Sequence, residues 1–226
     1  MMPLPTLLIE VLFEDSDFII VNKPSGIPSH KTVDLRRANL FDLVQKQFAI
    51  KDLHLPHRLD VGTSGVVLFC KNKQLNKKVD ALFKERKIQK TYWALTKTRS
   101  PDKNWTIEIY MKSLIQNYKE VMVKTKSGGD YSLTHFQFLQ NLRNLNLDFN
   151  LIQARPKTGR KHQIRLHMKL SGCPIFGDEL YNDKYNPNQG RLRLHAYQIE
   201  FIHPLSGTLI SVKSEIQFDD FAKTIK

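Results

Sequence analysis

The chain has 226 residues, 41% hydrophobic and 25% charged, ordinary globular values that exclude wholesale disorder. With 35 Lys and Arg against 22 Asp and Glu, the net charge is +13 and the expected partner is a polyanion, nucleic acid first. The two cysteines, Cys70 and Cys173, cannot build a disulfide framework and fit a reducing compartment. Met1–Thr6 lacks the basic stretch of a secretory signal, and the longest apolar runs fall short of the roughly 18 residues of a spanning helix. The reading is a cytoplasmic protein with no membrane partner. At about 150 residues per domain, one large domain over 1–226 or two small ones would fit.

In chain order, Leu7 to Phe13 and Phe18 to Asn22 read as a hairpin around Glu14–Asp17. Asn39 to Phe48 has helical spacing at Leu40, Leu43, Val44 and Phe48. Gly65 to Cys70 reads as a buried strand. Asn72 to Arg86 reads as a basic amphipathic helix with Leu75, Val79, Leu82 and Phe83 on one face, and Ile88 to Lys97 as a strand. Lys119 to Thr125, Ser132 to Gln140 and the period-two run Leu145, Leu147, Phe149, Leu151 predict a three-strand antiparallel meander, with Asn141 to Asn144 as a loop. His162 to Leu170 is a short helix stopped by Gly172. His195 to Phe201 and Thr208 to Lys213 form a last strand pair. Many strands and few helices in antiparallel order make an α+β protein, a mixed, mainly antiparallel central sheet with flanking helices.

Several chemistries lack their residues. There is no phosphate loop, no dinucleotide fingerprint, no G-x-S-x-G elbow and no C-x-x-C. His54, His57 and Asp60 could imitate a metal cluster, but Pro56 interrupts any shared helical face; no metal is expected. Two polar clusters remain. His57-Arg58-Leu59-Asp60-Val61-Gly62-Thr63-Ser64-Gly65 is a turn-rich loop entering a buried strand, where catalytic groups are often displayed. Thr158 to His167 packs five basic or His side chains into ten residues. Asp60 alone reads equally as a turn residue binding local backbone, and the second cluster as a solvated basic face.

Together the clusters resemble the RluA-type pseudouridine synthases. The first resembles that family's H-R-L-D-x-x-T-S-G signature. Asn22 to His30 is similar to its N-K-P-x-G-x-x-x-H segment, Lys90-Thr91-Tyr92-Trp93-Ala94 to its K-x-Y-x-A strand, and Thr158 to Asp178 to T-G-R-x-H-Q-[IL]-R-x-H…G-x-P-I-x-G-D. Leu194-His195-Ala196 with His203-Pro204 resembles its closing L-H-A…H-P. The five motifs keep the family's order from Asn22 to Pro204.

The resemblance implies one catalytic domain over 1–226 with the pseudouridine synthase fold, a central RNA-binding cleft, and isomerisation of uridine to pseudouridine without cofactor or metal. It places the catalytic carboxylate at Asp60, the arginine that pairs with it at Arg165, and the active-site tyrosine at Tyr92. A carboxylate can attack C1′ or abstract a sugar proton, in either case ionised. A neighbouring guanidinium favours that form. Because the reacting atoms are shielded in stacked RNA, the uridine must be extruded. Arg58 falls where the family's arginine can fill the vacated place. His57, Thr63, Arg160 and His162 complete the expected substrate-binding set, with Ile164 and Leu166 as pocket wall. Many relatives carry an N-terminal S4-type module; with the first strand near Leu7, none is expected here, a departure from them. His135 stands where relatives often show an aromatic. Transfer RNA and large-subunit ribosomal RNA are both open as substrate, and a monomer is expected. A noncatalytic RNA binder is the rival reading, and a metal-dependent nuclease a third.

Overall fold

The computed structural model describes residues 7–34, 37–144 and 147–216. The chain forms two compact units, Met1–Ile88 with Gln198–Ser214, and Gln89–Tyr197 with Glu215–Lys226.

In the first unit, β1 (Glu10–Glu14) pairs antiparallel with β2 (Phe18–Lys23), and β2 with β3 (Ser64–Cys70). Asp15 closes the β1–β2 turn by accepting the backbone N–H groups of Asp17 and Phe18. β3 is buried along its whole length, as its unbroken apolar run requires. On one face, Phe18, Ile20, Val66 and Leu68 pack against Leu75 and Val79 of the following helical segment and against Ile199, Phe201, Ile210 and Val212. The last four come from β9 (Leu194–Ile202) and β10 (Leu209–Lys213), antiparallel neighbours. Phe69 points oppositely and meets Phe41 of α1 (Leu40–Gln47), a helix capped by Asn39, which accepts the Asp42 N–H. The helix expected over Asn72 to Arg86 is shorter: a 3-10 turn at Lys73–Leu75, capped by Asn72, leads into α2 (Asn76–Lys84).

The second unit carries an antiparallel sheet of β4 (Gln89–Thr96), β8 (Leu147–Pro156), β7 (Asp130–Asn144), β5 (Asn104–Gln116) and β6 (Lys119–Thr125), in that order. This corrects the expected meander. β7 and β8 do pair, but β5 separates β6 from β7. Its signal was present: Trp105, Ile107, Ile109 and Met111 alternate with Thr106, Glu108, Tyr110 and Lys112. The expected loop at Asn141 to Asn144 is instead the end of β7, reached past a register shift between Phe138 and Gln140. Leu145 and Asn146, and the N-terminal Met1–Thr6, lie outside the described residues.

Helix α3 (Gln163–Leu170) lies on this sheet. Ile164 and Met168 pack with Ala94, Phe136, Ile152 and Ala154, while Leu166 joins a second cluster with Ile109, Met111, Val121 and Met122. Gly172 stops the helix as expected, at φ +72° with its N–H donated to the Lys169 carbonyl. Among the described residues, no helix is long and apolar enough to cross a membrane.

His167 of α3 is fully buried, and its Nε2 lies 3.0 Å from Ser132 Oγ, which itself donates to the Ile109 carbonyl. Nε2 therefore carries the proton of a neutral ring. Burial drives this imidazole from 6.5 down to about 4. Below 6.5 the unfolded chain binds a proton that the folded one refuses, so the stabilisation present above pH 6.5 is lost as pH falls towards 4. Between pH 7 and 5 this site contributes a stability loss of about 2 kcal/mol. Urea melts at both pH values should show His167→Gln losing about that much less than the unaltered protein; an identical pH dependence would contradict the assignment.

Candidate active site

The loop that carries Asp60 is built by a second, distant segment. Lys23, at the end of β2, is completely buried, and its ammonium donates to the carbonyls of Pro24 (3.0 Å), Ile27 (2.8 Å) and Val61 (3.3 Å). A buried cation is tolerated only when hydrogen-bonded, and these contacts supply three acceptors for its three donors. The Val61 carbonyl also accepts the Gly26 N–H at 2.8 Å. Ser25 Oγ donates to the Gly62 carbonyl at 2.7 Å. Ser29 Oγ accepts the Leu59 N–H and donates to the Leu59 carbonyl, each at 3.0 Å. The Asp60 carbonyl accepts the Thr63 N–H at 3.1 Å, closing a turn over Asp60–Thr63. Residues 59, 61 and 62 are thus held by backbone on both sides of Asp60. The Asp60 side chain is half-buried, Thr63 is buried and Arg58 is exposed.

His57 has a framework role within this unit. Its Nε2 accepts the Leu68 N–H at 2.9 Å and its ring stacks on Phe83 at 4.9 Å. His54 is 2.7 Å from Asp80. The two imidazoles thus face different partners, and among the described residues no group of three His, Cys, Asp or Glu is placed to hold a metal.

In the second unit, the Thr158–His167 cluster is a buried polar lattice. Gln163 Oε1 accepts from Thr158 Oγ1 (2.7 Å) and the Arg160 N–H (3.0 Å), while its Nε2 donates to the Leu133 carbonyl (3.0 Å) and Thr134 Oγ1 (2.9 Å). Arg160 reaches the Tyr131 carbonyl and Asp130, binding the loop to the start of β7. His162 sits in the left-handed region at φ 52°, with Nδ1 3.0 Å from the Tyr181 hydroxyl, which also accepts the Met122 N–H at 2.7 Å. Arg165 makes a two-point ion pair with Asp178, Nε to Oδ2 at 2.8 Å and Nη2 to Oδ1 at 2.7 Å, and lies over the Tyr181 ring. Gly177 sets up this carboxylate: a Cβ there would lie 2.2 Å from the Arg191 carbonyl oxygen, so only glycine fits. Tyr92 is half-buried on β4, against the cluster that contains Ile164. Lys90, two residues before it, has its ammonium pushed below the usual lysine range by burial.

The family model for RNA pseudouridylate synthases matches residues 17–170, which include both clusters. The chain belongs to this family. As an RNA pseudouridine synthase it is 35% identical over 228 residues to the "Ribosomal large subunit pseudouridine synthase C" of Buchnera aphidicola, covering 97% of this chain and 71% of that one. It is 39% identical over 193 residues to the "Uncharacterized RNA pseudouridine synthase" of Haemophilus influenzae, covering 85% and 82%. The solved structure of human "RNA Pseudouridylate Synthase Domain Containing 1" shares its fold at a TM-score of 0.79 and 24% identity, over 99% of this chain and 90% of that one. The synthase fold and its α+β class therefore stand.

Within each unit, the structure assembles the residues that the motifs single out. His57, Arg58, Asp60 and Thr63 share one loop; Arg160, His162, Ile164, Arg165 and Leu166 share another with α3. Ile164 and Leu166 are core residues of the synthase, 7% and 5% exposed. Sequence reading missed the groups that hold these residues: Lys23, Ser29, Asp178 and Tyr181. Lys23, Ser29 and Asp178 lay inside quoted motifs, without a role. Removing the charge of Asp178 takes the two-point ionic partner from the buried Arg165. Asp178→Asn should cost about 3 kcal/mol in a urea melt, and an unchanged midpoint would contradict the buried pair.

Proposed function

We propose that this synthase isomerises a uridine in structured ribosomal RNA of the large subunit, with Asp60 as its catalytic carboxylate. The observation that supports Asp60 is the backbone trap around it. A turn residue needs no such second segment, whereas a group that must meet one sugar atom does. The ribosomal substrate is favoured over transfer RNA by the name of the Buchnera relative, a ribosomal large subunit pseudouridine synthase. In the reaction the N1–C1′ bond breaks, the uracil turns, C5 bonds to C1′, the C5 proton leaves to solvent, and the freed N1 takes up a proton from solvent. Asp60 assists as the ionised group, either by attack on C1′ or by taking a sugar proton.

Arg165 is the cation that favours the ionised Asp60, a pairing that rests on the family signature. The two-point contact with Asp178 supports the role, since it fixes the plane of the guanidinium through Nε and Nη2. Tyr92 stacks on the uracil. Arg58 occupies the place that the extruded base leaves, and Arg160 and His162 flank the RNA. The +13 charge supplies the basic cleft that draws the RNA in. The protein works as a cytoplasmic monomer without cofactor.

Transcripts of large-subunit ribosomal RNA and of transfer RNA, labelled with tritium at uridine C5, test this reading. Tritium should leave the ribosomal transcript in single turnover. Asp60→Asn is nearly isosteric and keeps the turn, because Asn also suits it. It removes the nucleophile or base, so release should fall below detection while the melt stays normal. Substantial release by folded Asp60→Asn, with deamidation excluded by mass spectrometry, would overturn the role of Asp60; release from transfer RNA alone would overturn the substrate.

A further inference from the structure

The first unit has an open groove of about 630 Å³ that reaches from His30 and Lys31 to Arg58. It runs between α1 and the segment Leu53–Arg58, and its volume falls within the roughly 300–1,000 Å³ of small-molecule sites. Phe41, Leu55 and Pro56 make an apolar floor, and His30, Lys31 and Arg58 stand along it. His30, Lys31 and Arg58 are exposed.

From this arrangement we infer that the groove is a subsite for one nucleotide of the substrate RNA, next to the uridine that is isomerised. The inference rests on the proposed role of Asp60. Its carrier is the Ser29–Leu59 tie. That pair of hydrogen bonds sets residues 29 and 59 side by side, so their neighbours His30 and Arg58 enter the same groove. Arg58 is two residues from Asp60, which puts the groove within reach of a strand that delivers a uridine to Asp60. The chemistry fits a nucleotide on both counts. An apolar floor with an aromatic ring takes the face of a base, and His30 and Lys31 on its rim take the phosphate. One carboxylate, Asp42, also lines the groove. It accepts from Asn39 Nδ2 at 3.0 Å and lies 3.7 Å from Lys31 Nζ, which neutralise it locally. That ion pair is exposed and weak, so Lys31 can exchange it for a phosphate at little cost.

The probes are a fluorescent ten-nucleotide oligouridylate, an abasic ribose-phosphate chain of equal length and charge, and the oligouridylate with 4-thiouridine for photocrosslinking. The unaltered protein should bind the oligouridylate at least about fivefold tighter than the abasic chain, as base stacking requires. Leu55→Asp, which puts a charge on the floor, should at least halve that preference, the remainder coming from stacking on Tyr92. In the unaltered protein, crosslinks should fall within residues 30–31, 41–45 or 53–58. This second measurement decides the matter should Leu55→Asp fail to melt as a folded protein. Crosslinks confined to other segments, or an undiminished preference in folded Leu55→Asp, would overturn the subsite. Tritium release from the ribosomal transcript by the same unaltered preparation keeps the two readings apart. Release without groove crosslinks overturns the subsite alone, and groove crosslinks without release overturn the catalytic reading on which it rests.

Discussion

A single buried ammonium organises the loop on which the proposed chemistry depends. Lys23 has no exposed surface, and its charge is compensated by three backbone carbonyls, one of them on the far segment at Val61. Leaving such a charge unsatisfied would cost far more than the net gain of ordinary hydrogen bonds. The cation therefore holds the Pro24–Ile27 turn and the Asp60 loop to one geometry. Ser25 and Ser29 add short hydroxyl contacts to Gly62 and Leu59 on either side. An irregular loop beside buried strands would otherwise leave backbone groups without partners. Here the second segment satisfies them, so the loop is as fixed as the strands that flank it.

The second unit solves the same problem with side-chain amide and ion-pair contacts. Gln163 uses both ends of its amide to join the Thr158–Arg160 turn to β7. Asp178 holds Arg165 at two nitrogens and also accepts the N–H groups of Leu180 and Tyr181. Buried polar networks of this kind stabilise only when their members are satisfied, and they then impose one conformation. Arg165 thus enters any catalytic role already oriented, a requirement for electrostatic catalysis without reorganisation. The same contacts mean that a substitution at Arg165 tests stability along with activity, and Arg165→Lys loses the planar fork in both respects.

Local signals were legible in the sequence, and long-range ones were not. The apolar run at Val66–Cys70 announced a buried strand, and the spacing of Leu40, Leu43 and Val44 announced α1, because both are properties of neighbouring residues. β5 was equally local; its alternation of Trp105, Ile107, Ile109 and Met111 was overlooked, and with it the true neighbour of β6. α2 was overextended at both ends, since Asn72 caps a 3-10 turn before the helix proper. The site shows the same division. The Asp60 loop was legible as a motif, but its anchors lie 30 to 38 residues away, a distance that periodicity does not span. Asp178 stands 13 residues from Arg165, beyond any helical spacing, and only the fold brings its carboxylate to the guanidinium.

If the buried cation sets the loop, removing its charge must damage catalysis more than binding. Lys23→Met keeps the aliphatic stem and deletes the three donors, leaving the carbonyls of Pro24, Ile27 and Val61 without the ammonium. The most direct measurement is the single-turnover rate of tritium release by folded Lys23→Met on the ribosomal transcript, read beside its RNA affinity. The account predicts a rate at least about tenfold lower, equivalent to roughly 1.4 kcal/mol of barrier, with affinity changed by less than about threefold. An unaltered rate from the folded variant would contradict it.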